Sequence, residues 1–183
     1  MSKVENRTFT TPIHLACAKS NDIRTALESI YFINGYAYAS DGHILIKSSM
    51  EEYFMIEGIE LLNGHALHAE VYKLVMGFKI AEATTEGLEC LTKSNQRVFI
   101  PYPNLELLGI KAPSFEKVAG KCELKPTNML GITPRYMRVI DKALVHDIGD
   151  GIRCLFQGDR EAIIVDVPNR PNQMALLMPR TID

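Results

Sequence analysis

The common catalytic signatures are missing from this chain. It has no Gly-x-x-x-x-Gly-Lys phosphate loop, no Gly-x-Ser-x-Gly elbow and no His-Glu-x-x-His zinc helix, so the usual phosphate, acyl-transfer and zinc chemistries have no anchor. No apolar run approaches the roughly 20 residues of a membrane span, and Met1 to Thr11 is too polar for a secretory leader. Cysteine is sparse: Cys17, Cys90, Cys122 and Cys154 lie far apart with no Cys-x-x-Cys pair. Reduced, mostly buried thiols of a cytoplasmic protein are expected, not a disulfide framework. Overall basicity is absent too. Twenty Lys and Arg against 22 Asp and Glu leave a net charge of −2, so any contact with nucleic acid must come from a local patch.

What is present is enough for a real core. The 183 residues are 46% hydrophobic, which fits one or two compact units. The most telling stretch lies near the end. Thr133 is a good N-cap and Pro134 suits the first helical position, where a missing N–H costs nothing. Tyr136, Val139, Ile140, Ala143 and Leu144 then share one helical stripe that should face a core. Arg135, Arg138 and Lys142 fall on a neighbouring stripe, offset on this helix by Asp141 alone. Such a helix can lie on a sheet and offer its charge to a polyanion.

A helix followed by short strands recurs three times, with helix starts near residues 12, 67 and 134. In the first unit, Thr11-Pro12 opens a helix through Lys19. Strands Ala26 to Ile33 and Tyr36 to Ser40 flank an Asn34-Gly35 turn, and Asp41-Gly42 precedes a strand from His43 to Lys47. The second unit has a helix from Leu67 to Phe78, with Val71, Leu74, Val75 and Phe78 as its apolar face, and strands Leu88 to Thr92 and Arg97 to Pro101. The third continues from the Pro134 helix into strands Gly151 to Phe156, Ala162 to Val167 and Met174 to Met178. Between the last two units, Pro103 to Asn128 reads as extended, an edge strand or a linker. The pattern predicts an α+β fold of repeated helix-plus-antiparallel-strands half-units, helices on one face of the sheets. The expected division is a domain of two half-units over 1–120 and a third half-unit over 121–183.

Candidate chemistry is thin. Asp41 and His43 flank a glycine, and His65 and His68 are three apart, but a metal site needs three or four ligands and no cysteine clusters with them. Asp41 and His43 are read as shaping a turn, His65 and His68 as polar residues before a helix. Glu51-Glu52 is a solvated doublet, and Met50 to Met55 a loop or short helical turn. No catalytic residue, metal site or cofactor is expected.

Four stretches nevertheless carry a resemblance. Ala39-Ser40-Asp41-Gly42-His43-Ile44-Leu45 resembles the Ala-Thr-Asp-Gly-His-Arg-Leu signature of the bacterial DNA polymerase III beta sliding clamps. Ala112 to Val118 is similar to that family's Phe-Pro-Asp-Tyr-Arg-Arg-Val segment, Ile132 to Leu144 to its Phe-Asn-Pro-Arg-Tyr-Leu helix, and Leu176-Leu177-Met178-Pro179 to its Val-Val-Met-Pro ending. The resemblance implies a shortened clamp-like fold: a middle domain followed directly by the second half of a last domain. It implies no enzymatic activity and two kinds of partner.

One implied partner is duplex DNA, held without sequence reading by Arg135, Arg138 and Lys142, helped by Lys73 and Lys19. The other is a DNA polymerase or another replication or repair protein. Its short peptide would enter a pocket of Ser40, Gly42, His43, Leu45, Pro113, Lys117, Val118, Ala162, Leu176 and Met178. Ile44 stands at the pocket rim where the family keeps an arginine. Three half-units cannot surround a duplex, so homo-oligomerisation, about four copies for a closed ring, is implied. The alternative is a clamp-derived interaction module, an adaptor or competitor that does not encircle DNA.

Overall fold

The computed structural model describes residues 8–19, 23–119, 123–127, 129–144, 147 and 149–180; Cys122 and Asn128 fall outside them. Asn34 and Gly35 both have positive φ, 51° and 78°. That is what a two-residue turn between twisted strands demands, and it joins β1 (Ser29–Ile33) to β2 (Tyr36–Ser40). β2 pairs in turn with β3 (Ile44–Ser49). Ser49 Oγ then accepts from Glu52 N and starts the one-turn helix α1 (Met50–Tyr53).

The second unit begins with β4 (Ala66–His68), which pairs with β1, and continues directly into α2 (Ala69–Met76). β5 (Ile80–Ala83), β6 (Gly87–Leu91) and β7 (Arg97–Pro101) form a separate antiparallel sheet in that order. After a turn at 105–109 comes α3 (Phe115–Ala119). The last unit holds α4 (Pro134–Ala143), β8 (Arg153–Leu155), β9 (Ile163–Val167) and β10 (Arg170–Leu177).

The strands of the first and last units, with β4 of the second at one edge, share one seven-stranded sheet, ordered β4-β1-β2-β3-β10-β9-β8. Its centre is the antiparallel contact of β3 with β10, Ile44 to Ser48 against Leu177 to Gln173. Alternation sends Ile30, Phe32, Ile44, Ile46, Val165 and Leu177 to one face, where α2 and α4 cover them with Tyr72, Val75, Tyr136 and Ile140. Phe9 joins this core, stacked on Tyr72 at 4.2 Å. The opposite face carries Tyr31, Tyr38, Leu45, Ile164 and Leu176 under Phe115 of α3. The α+β half-unit architecture therefore holds, with α2 and α4 on one face and α3 on the other.

Several expected boundaries shift. The first helix shrinks to a 3₁₀ turn, Ile13–Ala16, because Cys17 is already extended. Residues Thr25–Glu28 form a second 3₁₀ turn instead of the start of β1. Residues 66–68 are taken into the sheet by β1, which delays α2 and rotates its buried face to Ala69, Tyr72 and Val75, leaving Leu74 exposed. Strand β5 and helix α3 were not anticipated; α3 lies within the stretch expected to be extended. Cys17, Cys90 and Cys154 are free, only Cys90 fully buried, and burial pushes the thiols of Cys17 and Cys90 to about 12 and about 11.

The Tyr72 hydroxyl is buried and donates to Thr11 O at 2.7 Å, and burial holds this phenol well above its ordinary pKa. Tyr72→Phe removes this bond and leaves Thr11 O to its other donor, Ile13 N at 2.9 Å, so it should cost about 0.5–1.5 kcal/mol. The check is a lowered urea midpoint with an unchanged denaturant slope.

Candidate functional site

Where β3 meets β10, the two strands end in a shallow apolar pocket of about 200 Å³. Its floor follows from register. Leu45 and Leu176 are Cα partners and both are buried. Met178 N donates to His43 O at 2.9 Å, carrying the ladder two residues further. Met178 therefore stands on the same side as Leu176 and is 45% exposed at the rim. Pro113, Ser114, Phe115 and Val118 form the facing wall. Phe115 and Val118 are three apart and share one side of α3. Phe115 is anchored by stacking on Tyr38 at 5.4 Å, and Val118 remains 59% exposed.

The turn between β2 and β3 is built by its own side chains. Asp41 Oδ1 accepts from His43 N at 2.9 Å and Ile44 N at 3.1 Å, and Ser40 Oγ accepts from Gly42 N at 3.0 Å. Gly42 has φ +87°, a left-handed conformation that calls for glycine, while the nearest atom a Cβ would meet is the movable tip of the Arg24 side chain.

This turn is also tied to α4. Arg135 Nη2 donates to Asp41 Oδ2 at 3.5 Å and to the Tyr136 hydroxyl at 2.6 Å, and the Tyr136 ring lies 6.2 Å from His43. Tyr136 first, and then Asp41, hold the Arg135 pKa above its already high ordinary value.

Nine of the ten residues expected at a pocket line this one: Ser40, Gly42, His43, Leu45, Pro113, Val118, Ala162, Leu176 and Met178. Lys117 does not, because Phe115 and Val118 take the inward side of α3 and Lys117 is exposed. Leu27, Ile44, Ser114 and Phe115 also border it. Ile44 borders the pocket without filling its rim. It is 2% exposed and packs into the core of the opposite sheet face, as alternation with Leu45 requires. Phe115 was findable as the aromatic in the 112–118 stretch; Leu27 gave no signal, since its 3₁₀ turn read as strand.

The five candidate cations occupy the other side of the sheet. Arg135, Arg138 and Lys142 are exposed on α4, Lys73 on α2, and Lys19 just beyond the 3₁₀ turn that packs against both helices. Two already have acidic neighbours, Arg135 with Asp41 and Lys73 with Glu70 at 3.6 Å. His65 stacks on Tyr102 at 4.0 Å, while His68 Nδ1 accepts from Glu70 N at the start of α2. Among the described residues no group of three or more His, Cys, Asp or Glu is placed to hold a metal, and no helix is long and apolar enough to cross a membrane.

No protein-family profile and no curated protein matches the sequence. Solved structures do match the fold. DNA polymerase III subunit beta from Borrelia burgdorferi, in complex with a natural product, superposes with a TM-score of 0.67 at 9% identity, over 98% of this chain and 63% of its own. The beta subunit from Thermotoga maritima gives 0.62 at 10% identity with the same coverage. The sliding clamp from Bartonella birtlesii bound to griselimycin gives 0.62 at 13%, over 99% of this chain and 65% of its own. The chain has the fold of bacterial beta sliding clamps and spans under two thirds of their length.

Asp41 holds two backbone donors and one guanidinium, so Asp41→Ala should destabilise the protein by about 1–3 kcal/mol. Asp41→Asn, which keeps a side-chain acceptor, should lose less. Thermal melting of both variants beside the parent checks this; equal melting of Asp41→Ala and parent would mean that the turn does not depend on the carboxylate.

Proposed function

We propose that this chain is a non-enzymatic, cytoplasmic, sliding-clamp-like protein that recruits replication or repair proteins by seating their short peptides in the β3–β10 pocket. The observation that carries this reading is convergence. The stretches 40–45, 113–118 and 176–178 are far apart in sequence, yet each contributes side chains to one small apolar cleft with a few polar atoms. Such a cleft suits one or two peptide anchors. As a DNA-associated processivity or recruitment factor, the chain would turn the α4 and α2 face to duplex phosphates in an assembly of several copies. A second reading, an adaptor or competitor that leaves DNA alone, draws on the pairing of Arg135 with Asp41 and of Lys73 with Glu70. Two of the five candidate cations are thereby partly neutralised.

Titration with a short peptide bearing leucine and phenylalanine anchors tests the pocket. Saturable binding is expected, weakened about tenfold or more by Met178→Ala, whose loss removes an exposed apolar rim contact. Equal binding by the folded variant would take Met178 out of the site, and no binding at millimolar peptide would end the pocket reading.

The two readings part on DNA. If the α4 face holds a duplex, the double variant Arg138→Ala, Lys142→Ala should bind every sequence more weakly. Its log affinity against log salt should flatten by about 0.9 for each lost phosphate contact. Parent protein that fails to bind duplex at low salt leaves the adaptor reading.

A further inference from the structure

We propose that β7 is a pairing edge for a second copy of this chain, joined strand to strand about a two-fold axis through Phe99. The chain supplies the template. β3 closes the first unit and β10 the last, and these two meet edge to edge, antiparallel, so that β1-β2-β3 abuts β10-β9-β8. β7 holds the corresponding final place in the middle unit, and among the described residues its outer edge has no partner strand. The opposite edge of that sheet is occupied: Ala83 of β5 donates to Glu57 O at 2.8 Å, and Glu57 bridges Glu82. With β3 and β10 already joined to each other, the final strand left for β7 is the β7 of another copy.

Hydrogen-bond phase defines the geometry. Thr92 N donates to Gln96 O and Tyr102 N to Glu86 O, so Val98 and Ile100 bond inward to β6. Alternation then points the main-chain groups of Arg97, Phe99 and Pro101 to the open side. Pro101 has no N–H to contribute there, and the existing ladder loses nothing by it. A two-fold pair centred on Phe99 gains two bonds between the Phe99 residues and one from each Arg97 N–H to the second copy's Pro101 carbonyl. The pairing is isologous and uses up both edges, so it closes instead of growing into a fibre.

The side chains agree. Phe99 is 51% and Val98 37% exposed, high for apolar residues of a strand, and Phe99 sits with Ile80, Leu91 and Arg97 around an open depression of about 530 Å³. The Phe99 ring leans over Gly87, its Cζ 2.9 Å from where a Cβ would stand, beside Pro101. That is where the second copy's Arg97 arrives, so each guanidinium meets an aromatic face.

Sedimentation equilibrium of the full chain at micromolar to high-micromolar concentration should show a dimer or a multiple of it. Phe99→Asp should weaken self-association at least about tenfold while keeping the far-ultraviolet spectrum and peptide affinity of the parent. That separates this edge from the pocket. In the proposed register residue 99 faces its own copy at the roughly 5.5 Å of a bonded pair, within disulfide range. Phe99→Cys should therefore cross-link on mild oxidation, whereas Leu107→Cys, strongly exposed on the turn at 105–109 and outside the paired strand, should not. A parent that stays monomeric, a dimer that Phe99→Asp does not weaken, or Phe99→Cys linking no better than Leu107→Cys would each overturn the proposal.

Discussion

Everything distinctive about this structure depends on the antiparallel contact between β3 and β10. It joins strands more than 120 residues apart, and it turns the strands of the first and last units into one sheet. Without it, Leu45 and Leu176 would be edge residues on separate sheets. With it, they become a buried pair at the floor of the pocket. The extra bond from Met178 N to His43 O continues the same ladder past the last regular pair, and so places the rim. Pocket and sheet are one construction.

The sheet is one residue thick, so each strand writes two surfaces at once. In β3, Ile44 and Ile46 enter the core beneath α2 and α4 while Leu45 faces the pocket. A slip of one residue would exchange these sets, placing Leu45 in the large core and Ile44 at the pocket. The register therefore binds the helical face, with its cations, to the pocket face. The Asp41 turn strengthens this link, because one carboxylate both shapes the pocket rim and meets Arg135 of α4.

Local signals were legible where local physics decides. The Asn34-Gly35 turn, the Pro134 helix and the β2 and β7 boundaries follow from positive φ, a proline at the first helical position and alternation. Decisions made by tertiary contact were not. Residues 66–68 look helical until β1 recruits them, and α2 turns Tyr72 inward because Phe9 and Thr11 are there to receive it. The pocket positions were readable only through resemblance. No periodicity within the chain brings Pro113 and Val118 to Leu176. Lys117 and Ile44 show the limit of such transfer, since Lys117 lies outside the cleft and Ile44, though it borders it, packs into the core of the opposite face.

The separation of charge follows from the same geometry. A net charge of −2 hides cations that are not evenly spread: Arg135, Arg138 and Lys142 share α4, on the far side of the sheet from the apolar cleft. Long-range attraction to a polyanion is weak at this net charge and ordinary ionic strength, since exposed charges are screened beyond about 10 Å. A duplex would have to be held close to α4 by the assembly itself, not drawn from a distance. For a duplex to be held on these terms, pairing of copies would have to come first: several weak cationic faces would have to be brought together before their sum amounted to binding.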